Sequence, residues 1–77
     1  MKTKPIQASK LQRGNKIVFR YDNGKCVLIE TVNSVQHHDG VFVTIIFEVA
    51  ADGFGVLPQT WVVGKQIEIV DDNNDVK

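Results

Sequence analysis

The chain has little of what usually betrays a biochemical role. Its 77 residues include one cysteine, one methionine, one tryptophan and two prolines. With Cys26 alone, an internal disulfide and a cysteine-rich zinc cage are both excluded. A lone thiol suits a reducing compartment. No apolar run approaches the roughly 18 residues that span a bilayer. The first twenty residues carry Lys2, Lys4, Lys10, Arg13, Lys16 and Arg20 and no apolar stretch, so they do not read as a secretory leader. The expectation is a cytoplasmic protein with no membrane partner. Catalytic signatures are missing too: there is no nucleophile elbow, phosphate loop, paired-carboxylate motif or dinucleotide fingerprint. Gly53-x-Gly55 is too short to cradle phosphate, and no helical pattern follows it. The chain reads as non-enzymatic and independent of cofactors.

What is present is a folding composition. Hydrophobic residues make up 43% of the chain and charged ones 23%, which separates it from disordered sequences. Seventy-seven residues allow one small domain. Such a chain buries only about 60% of its unfolded surface, so the core is small. The sequence predicts a flexible segment over 1–5, one domain over 6–70 and a flexible acidic tail over 71–77. The tail, Asp71-Asp72-Asn73-Asn74-Asp75-Val76-Lys77, has almost nothing to bury against its ordering entropy.

Charge is balanced in total, nine basic against nine acidic residues, but not along the chain. Residues 1–25 hold seven basic groups against Asp22, a net of +6; residues 26–77 hold Lys65 and Lys77 against eight acids, a net of −6. Such segregation hints at an anionic partner or at self-association. The plainer reading is that strands from both halves interleave and mix the charges on one surface.

No helical spacing is sustained. β-Branched and aromatic runs alternate with turn residues at short intervals, which argues an all-β fold. At most one short helical turn fits, in Ala8–Gly14, with Ser9 as cap and Gly14 as stop. Lys16–Tyr21 reads as the first strand. Asp22-Asn23-Gly24-Lys25 is the strongest turn signal, because Asn-Gly tolerates the positive φ of a tight hairpin. Cys26–Val35 is the second strand; its apolar phase slips at Val32, which calls for a bulge near Thr31. Gln36–Gly40 is read as a loop and Val41–Val49 as the third strand. There Val41, Val43, Ile45, Phe47 and Val49 share one face, and Phe42, Thr44, Ile46 and Glu48 the other. Val56–Val63 is the fourth strand, placed at an edge or bulge by Pro58, and Gln66–Val70 is the fifth. Five short antiparallel strands in about 60 residues predict a small bent barrel.

Leu11-Gln12-Arg13-Gly14-Asn15-Lys16-Ile17, in the form Leu-x-x-Gly-(Asp/Asn)-x-Ile before a strand, resembles the opening of SH3-like barrels, among them the KOW-type domains of ribosomal and translation proteins. Trp61-Val62-Val63-Gly64-Lys65-Gln66-Ile67-Glu68-Ile69 resembles their final turn and strand. Asn15 stands where Asp is commoner, and no complete KOW motif is present. The chain also resembles short proteins of bacteria and their phages. The resemblance implies the barrel; because KOW-like barrels often bind RNA, it also implies a nucleic-acid alternative.

Two function classes remain. The first is a protein-interaction module: a phage or bacterial adaptor, or a homo-oligomer. A strand apolar on both faces is either central or covered by a partner. Phe42 and Ile46, joined by Phe54 or Trp61, would form the contact patch, unless Ile6–Leu11 folds across it. The second is weak RNA or DNA binding through Lys10, Arg13, Lys16, Arg20, Tyr21 and Lys25. Zero net charge argues against it unless those groups form a contiguous stripe, since phosphate neutralisation dominates such binding. His37-His38-Asp39 offers metal-ligand side chains, but neighbours on a strand point to opposite faces, and a solvated loop with no metal is the better reading. Cys26 as a nucleophile would need His37 or His38 as base; a small packed residue is the simpler role.

Overall fold

Residues 1–49, 53 and 55–71 are described by a computed structural model. Six strands form one antiparallel sheet: β1 (Thr3–Gln7), β2 (Lys16–Tyr21), β3 (Cys26–His38), β4 (Phe42–Phe47), β5 (Gln59–Val62) and β6 (Gln66–Val70). Their order across the sheet is β1-β6-β2-β3-β4-β5, so β1 and β5 are the edges. The all-β class therefore holds, with two corrections. There are six strands where five were expected, and the sheet is open where a closed barrel was expected.

The extra strand takes in three residues of the 1–5 segment that was expected to fray. Thr3–Gln7 pairs with β6 along its whole length, from Thr3↔Val70 to Gln7↔Gln66. Ile6 brings an apolar side chain to the core, and Lys4 Nζ lies 3.9 Å from the Asp71 carboxylate. Those contacts offset the ordering entropy that composition alone made decisive. Residues 72–77 of the predicted tail lie outside the described residues.

The sheet folds back on itself at β3. The amino-terminal part of this 13-residue strand pairs with β2, and its carboxy-terminal part pairs with β4. The register shifts between Val32 and Ser34, so the bulge falls at Asn33, two residues from its predicted place. A bulge bends the strand and increases its twist. The two half-sheets then face each other across Ala8, Leu11, Ile17, Val32, Val43, Ile45, Phe47, Ile67 and Ile69. Phe19 and Phe47 meet edge to face across this space, with ring centroids 5.8 Å apart. On the open side, the Ala8 and Ser9 N–H groups donate to the Lys65 and Val63 carbonyls at 2.8 and 3.0 Å, tying the amino-terminal segment to the β5–β6 turn.

Local chemistry explains the turns. Asp22, Asn23 and Gly24 all have positive φ (54°, 57° and 88°), and Gly24 N–H donates to Tyr21 C=O. The helical turn is a single 3-10 turn at Ala8–Lys10, and Ser9 is not its cap: Gln7 occupies that position without a side-chain bond. Asn15 has a clearer role than any helix cap. Its Oδ1 accepts from Gln12 N–H at 2.8 Å while its own N–H donates to Gln12 C=O at 3.1 Å. Gly14 sits inside this turn at φ 94°. Either Asp or Asn can supply that acceptor, which accounts for the residue type at this place.

Several boundaries differ from expectation. Gln36–His38 extend β3, and the loop shrinks to Asp39-Gly40-Val41, closed by Val41 N–H donating to His38 C=O. The third predicted strand shortens to Phe42–Phe47, leaving Val41 and Val49 exposed where burial was expected. Pro58 stands just before the edge strand β5, which begins at Gln59 where Val56 was expected.

Candidate functional site

The outer surface of the β3–β4–β5 half-sheet follows from one register. Phe42 pairs with His38 on one side and Val62 on the other; Thr44 pairs with Gln36 and Thr60; Ile46 pairs with Ser34. Strand alternation puts these side chains on the face away from the core, because Val43, Ile45 and Phe47 point into it. Phe42 remains 45% exposed and Val62, directly opposite, 51%. A polar row runs beside them: His38 Nε2 lies 2.9 Å from Thr44 Oγ1, which shares a 2.8 Å hydrogen bond with Thr60 Oγ1. The outward side chains of β4 and β5 include no charged residue.

Two of the four residues expected in this patch are brought together and one is not. Phe42 and Ile46 lie on this face, exposed and half-buried respectively. Trp61 lies on the opposite face: it pairs with Val43 and packs half-buried against the core. The sequence alone did not fix the phase of β5 against β4, and a one-residue difference turns a side chain from one face to the other. Val62 takes the place expected for Trp61. The alternation Gln59/Trp61 against Thr60/Val62 carries that signal, once Trp61 is aligned with inward Val43. Phe54 lies outside the described residues. The amino-terminal segment does not cover the patch either, since β1 pairs with β6 at the other edge of the sheet and Ala8 enters the core.

The basic residues lie on different elements. Lys10 is on the 3-10 turn, Arg13 in the following loop, Lys16 at the start of β2 and Lys25 in the hairpin turn beyond its end. Lys16 and Lys25 are thus separated by the length of β2, roughly 20 Å at 3.4 Å per residue. Arg20 is exposed, but its Nε and Nη2 donate to the two Glu68 carboxylate oxygens at 2.8 and 2.7 Å. Those hydrogen bonds, helped by one with Thr3, hold the Glu68 carboxyl down at about 2, and raise Arg20 above its ordinary value. Tyr21 sits at the hairpin end opposite exposed Cys26. The same hairpin exposes Val27, Leu28 and Ile29 in succession, a feature the apolar-phase reading of this strand did not pick out.

β2 and β6 touch in register only at Ile17↔Ile69. Beyond that point they part, leaving a cleft of about 200 Å³ lined by Phe19, Trp61, Lys65 and Ile67, with the Arg20–Glu68 pair on its wall. Among the described residues, no group of three His, Cys, Asp or Glu could hold a metal, and no helix is long and apolar enough to cross a membrane. No protein-family model, curated protein or solved structure matches this chain, so its surface has to be read from its own chemistry.

Proposed function

We propose that this chain is a protein-interaction module that docks through the outer face of β4 and β5. The observation that carries this reading is the pairing of Phe42 with Val62, both about half exposed, on a face with no charged side chain on β4 or β5. Scattered exposed apolar residues are ordinary. Two placed side by side, with Ile46 on the same face beyond Thr44, concentrate apolar surface in the way that marks an interface. The Thr44–Thr60 hydrogen bond fixes the middle of that surface, so little side-chain entropy is left to lose on docking. The chain acts in the cytoplasm on this reading, where an exposed Cys26 stays reduced. The meander β2–β5, with β6 returning beside β2, supports the SH3-like resemblance.

Weak nucleic-acid binding has less support, because Arg20 is engaged by Glu68 and Lys25 lies at the far end of β2 from Lys16. The test is Phe42→Glu. It should abolish association, with itself or with a captured partner, and leave the melting temperature within about 4 °C, as expected for a surface substitution of about 0.5 kcal/mol or less. A variant that unfolds would show that Phe42 is a structural contact and defeat the reading.

A further inference from the structure

The two edges of the sheet are not equally protected. Exposed strand edges invite pairing with another chain, and proteins guard them with Pro, Lys or bulges. β1 carries Lys4 and Pro5 in its middle. β5, Gln59-Thr60-Trp61-Val62, has no charge, no proline and no register shift against β4.

Its free backbone groups are few and can be named. Val63 N–H donates to Val41 C=O at 3.0 Å, which sets the phase of the strand. Gln59 and Trp61 turn their backbone groups toward β4, and Pro58, Thr60 and Val62 turn theirs to the open edge. Pro58 has no N–H, and the Val62 carbonyl already accepts from Lys65 N–H at 3.1 Å. What remains on the edge is Pro58 C=O, Thr60 N–H and C=O, and Val62 N–H. That set is its own complement.

We infer that a second copy of this chain pairs with it along β5, antiparallel, about a twofold axis at Thr60. This deepens the interaction reading above and rests on it. Thr60 N–H of each copy donates to Thr60 C=O of the other. Val62 N–H of each donates to Pro58 C=O of the other. The two groups such a ladder would otherwise orphan, a proline nitrogen and the Val62 carbonyl, make no demand.

Side chains and charges agree with that register. On the outer face, Phe42 and Val62 of one copy continue into Pro58 and, by one further step of the β4–β5 register, Ile46 of the other. The Thr44–Thr60 hydrogen-bonded row continues into its twofold mate between these apolar rows. The carboxy-terminal end of β5 is basic: Lys65 follows it, and Lys10 is next to Ser9, whose N–H reaches Val63 C=O. Asp39, in the β3–β4 turn, stands at the same end, which leaves two basic groups there against one acid. Exposed Glu48, just past β4, marks the opposite end. An antiparallel twofold lays the basic end of each copy against the acidic end of the other, so attraction favours a second copy as the occupant.

Sedimentation over a concentration series, together with directed cross-linking, decides this. The wild type should run at twice 8.6 kDa at high concentration and at 8.6 kDa on dilution. Thr60→Pro removes the axial donor, and Val62→Lys places a charge in the apolar row; each should halve the mass with an unchanged circular dichroism spectrum. If Thr60→Pro does not fold, the Thr60→Cys cross-link described next carries the comparison. With Cys26→Ser, Thr60→Cys should oxidise to a covalent dimer, because the two Cα atoms of such a pair lie about 5.5 Å apart. Gln66→Cys should stay monomeric under the same conditions. A wild type that stays monomeric overturns the inference but leaves the outer face to a foreign partner. A dimer that survives Thr60→Pro, forms no Thr60→Cys cross-link and yet dissociates in Phe42→Glu overturns edge pairing and keeps the face. A dimer untouched by Thr60→Pro, Val62→Lys and Phe42→Glu overturns both.

Discussion

Ile45 and Ile46 are neighbours in sequence, identical in type, and predicted to answer substitution very differently. Ile45 is 0% exposed, in the cluster where the two half-sheets meet. Ile46 is half-buried on the outer face opposite Ser34. Truncating a fully buried isoleucine to alanine loses the transfer free energy of three carbons and leaves a cavity, together about 2–5 kcal/mol. The outer-face truncation loses part of the transfer term and leaves no cavity, about 1 kcal/mol. A chain of this length has a total stability of roughly 4–12 kcal/mol. Ile45→Ala therefore removes a large share of it and lowers the melting temperature by roughly 8–40 °C, at about 4–8 °C per kcal/mol for a domain this small. Ile45→Val, at about 0.5–1.5 kcal/mol, gives a graded control if the alanine variant does not fold. Urea unfolding followed by fluorescence suits the comparison, because Trp61 is the sole tryptophan and packs against the same core. Measurements belong at low protein concentration, so that the proposed association does not add to the apparent stability. Equal losses at the two positions, or a larger loss at Ile46, would refute the assignment of faces on which the interaction surface depends.

Three further outcomes follow from individual contacts. Gly24→Val should cost on the order of 1–2 kcal/mol, because φ is +88° there, while open space around the missing Cβ means strain alone is responsible; thermal melts of Gly24→Asn, which tolerates that backbone, should show a smaller loss. Glu68 is held at about 2 by Arg20 and Thr3, below its ordinary 4.5, so its contribution is complete above pH 4.5 and disappears as pH falls toward 2; an acid titration of Glu68→Gln should lack that part of the wild-type loss, and parallel curves would contradict it. Any nucleic-acid binding should be weak, with the four candidate cations Lys10, Arg13, Lys16 and Lys25 giving a slope of roughly −4 on duplex DNA; titration of labelled RNA and DNA at low salt tests it, and a steeper slope would mean that further cations take part.

Most of the fold was legible because side-chain periodicity is local. β2 and β6 begin and end where alternation places them, and the Asn23-Gly24 turn follows from backbone preference alone. What could not be read depends on partners distant in sequence. Thr3–Pro5 looks like a fraying end until β6 is there to pair with it. Gln36–His38 look like a polar loop, yet β4 is long enough to hold them in a ladder. The site shows the same division. Phe42 and Ile46 were legible from alternation within one strand, whereas Trp61 and Val62 depend on the phase of β5 against β4, which no single strand encodes.

The connection of β6 has a consequence for motion. This strand shares five residue pairs with β1 and one with β2. Thr3 and Val70 are 67 positions apart in the chain, so closing that loop is entropically the most demanding pairing in the molecule. The hairpins β2–β3 and β3–β4, by contrast, close over short turns. β1 and β6 therefore behave as a two-stranded ribbon that docks as a unit through Ile6, Ile67 and Ile69, with the Arg20–Glu68 pair as its clasp to β2. Such a ribbon can lift without dismantling the β2–β3–β4 meander, an opening below the global transition. In hydrogen exchange, amides of both strands would then share one opening free energy, lower than that of Val43 and Ile45, and Glu68→Gln would lower it further. The β4–β5 side, where the proposed interaction surface lies, stays intact during that opening, so the molecule can breathe at one side while the other holds its shape.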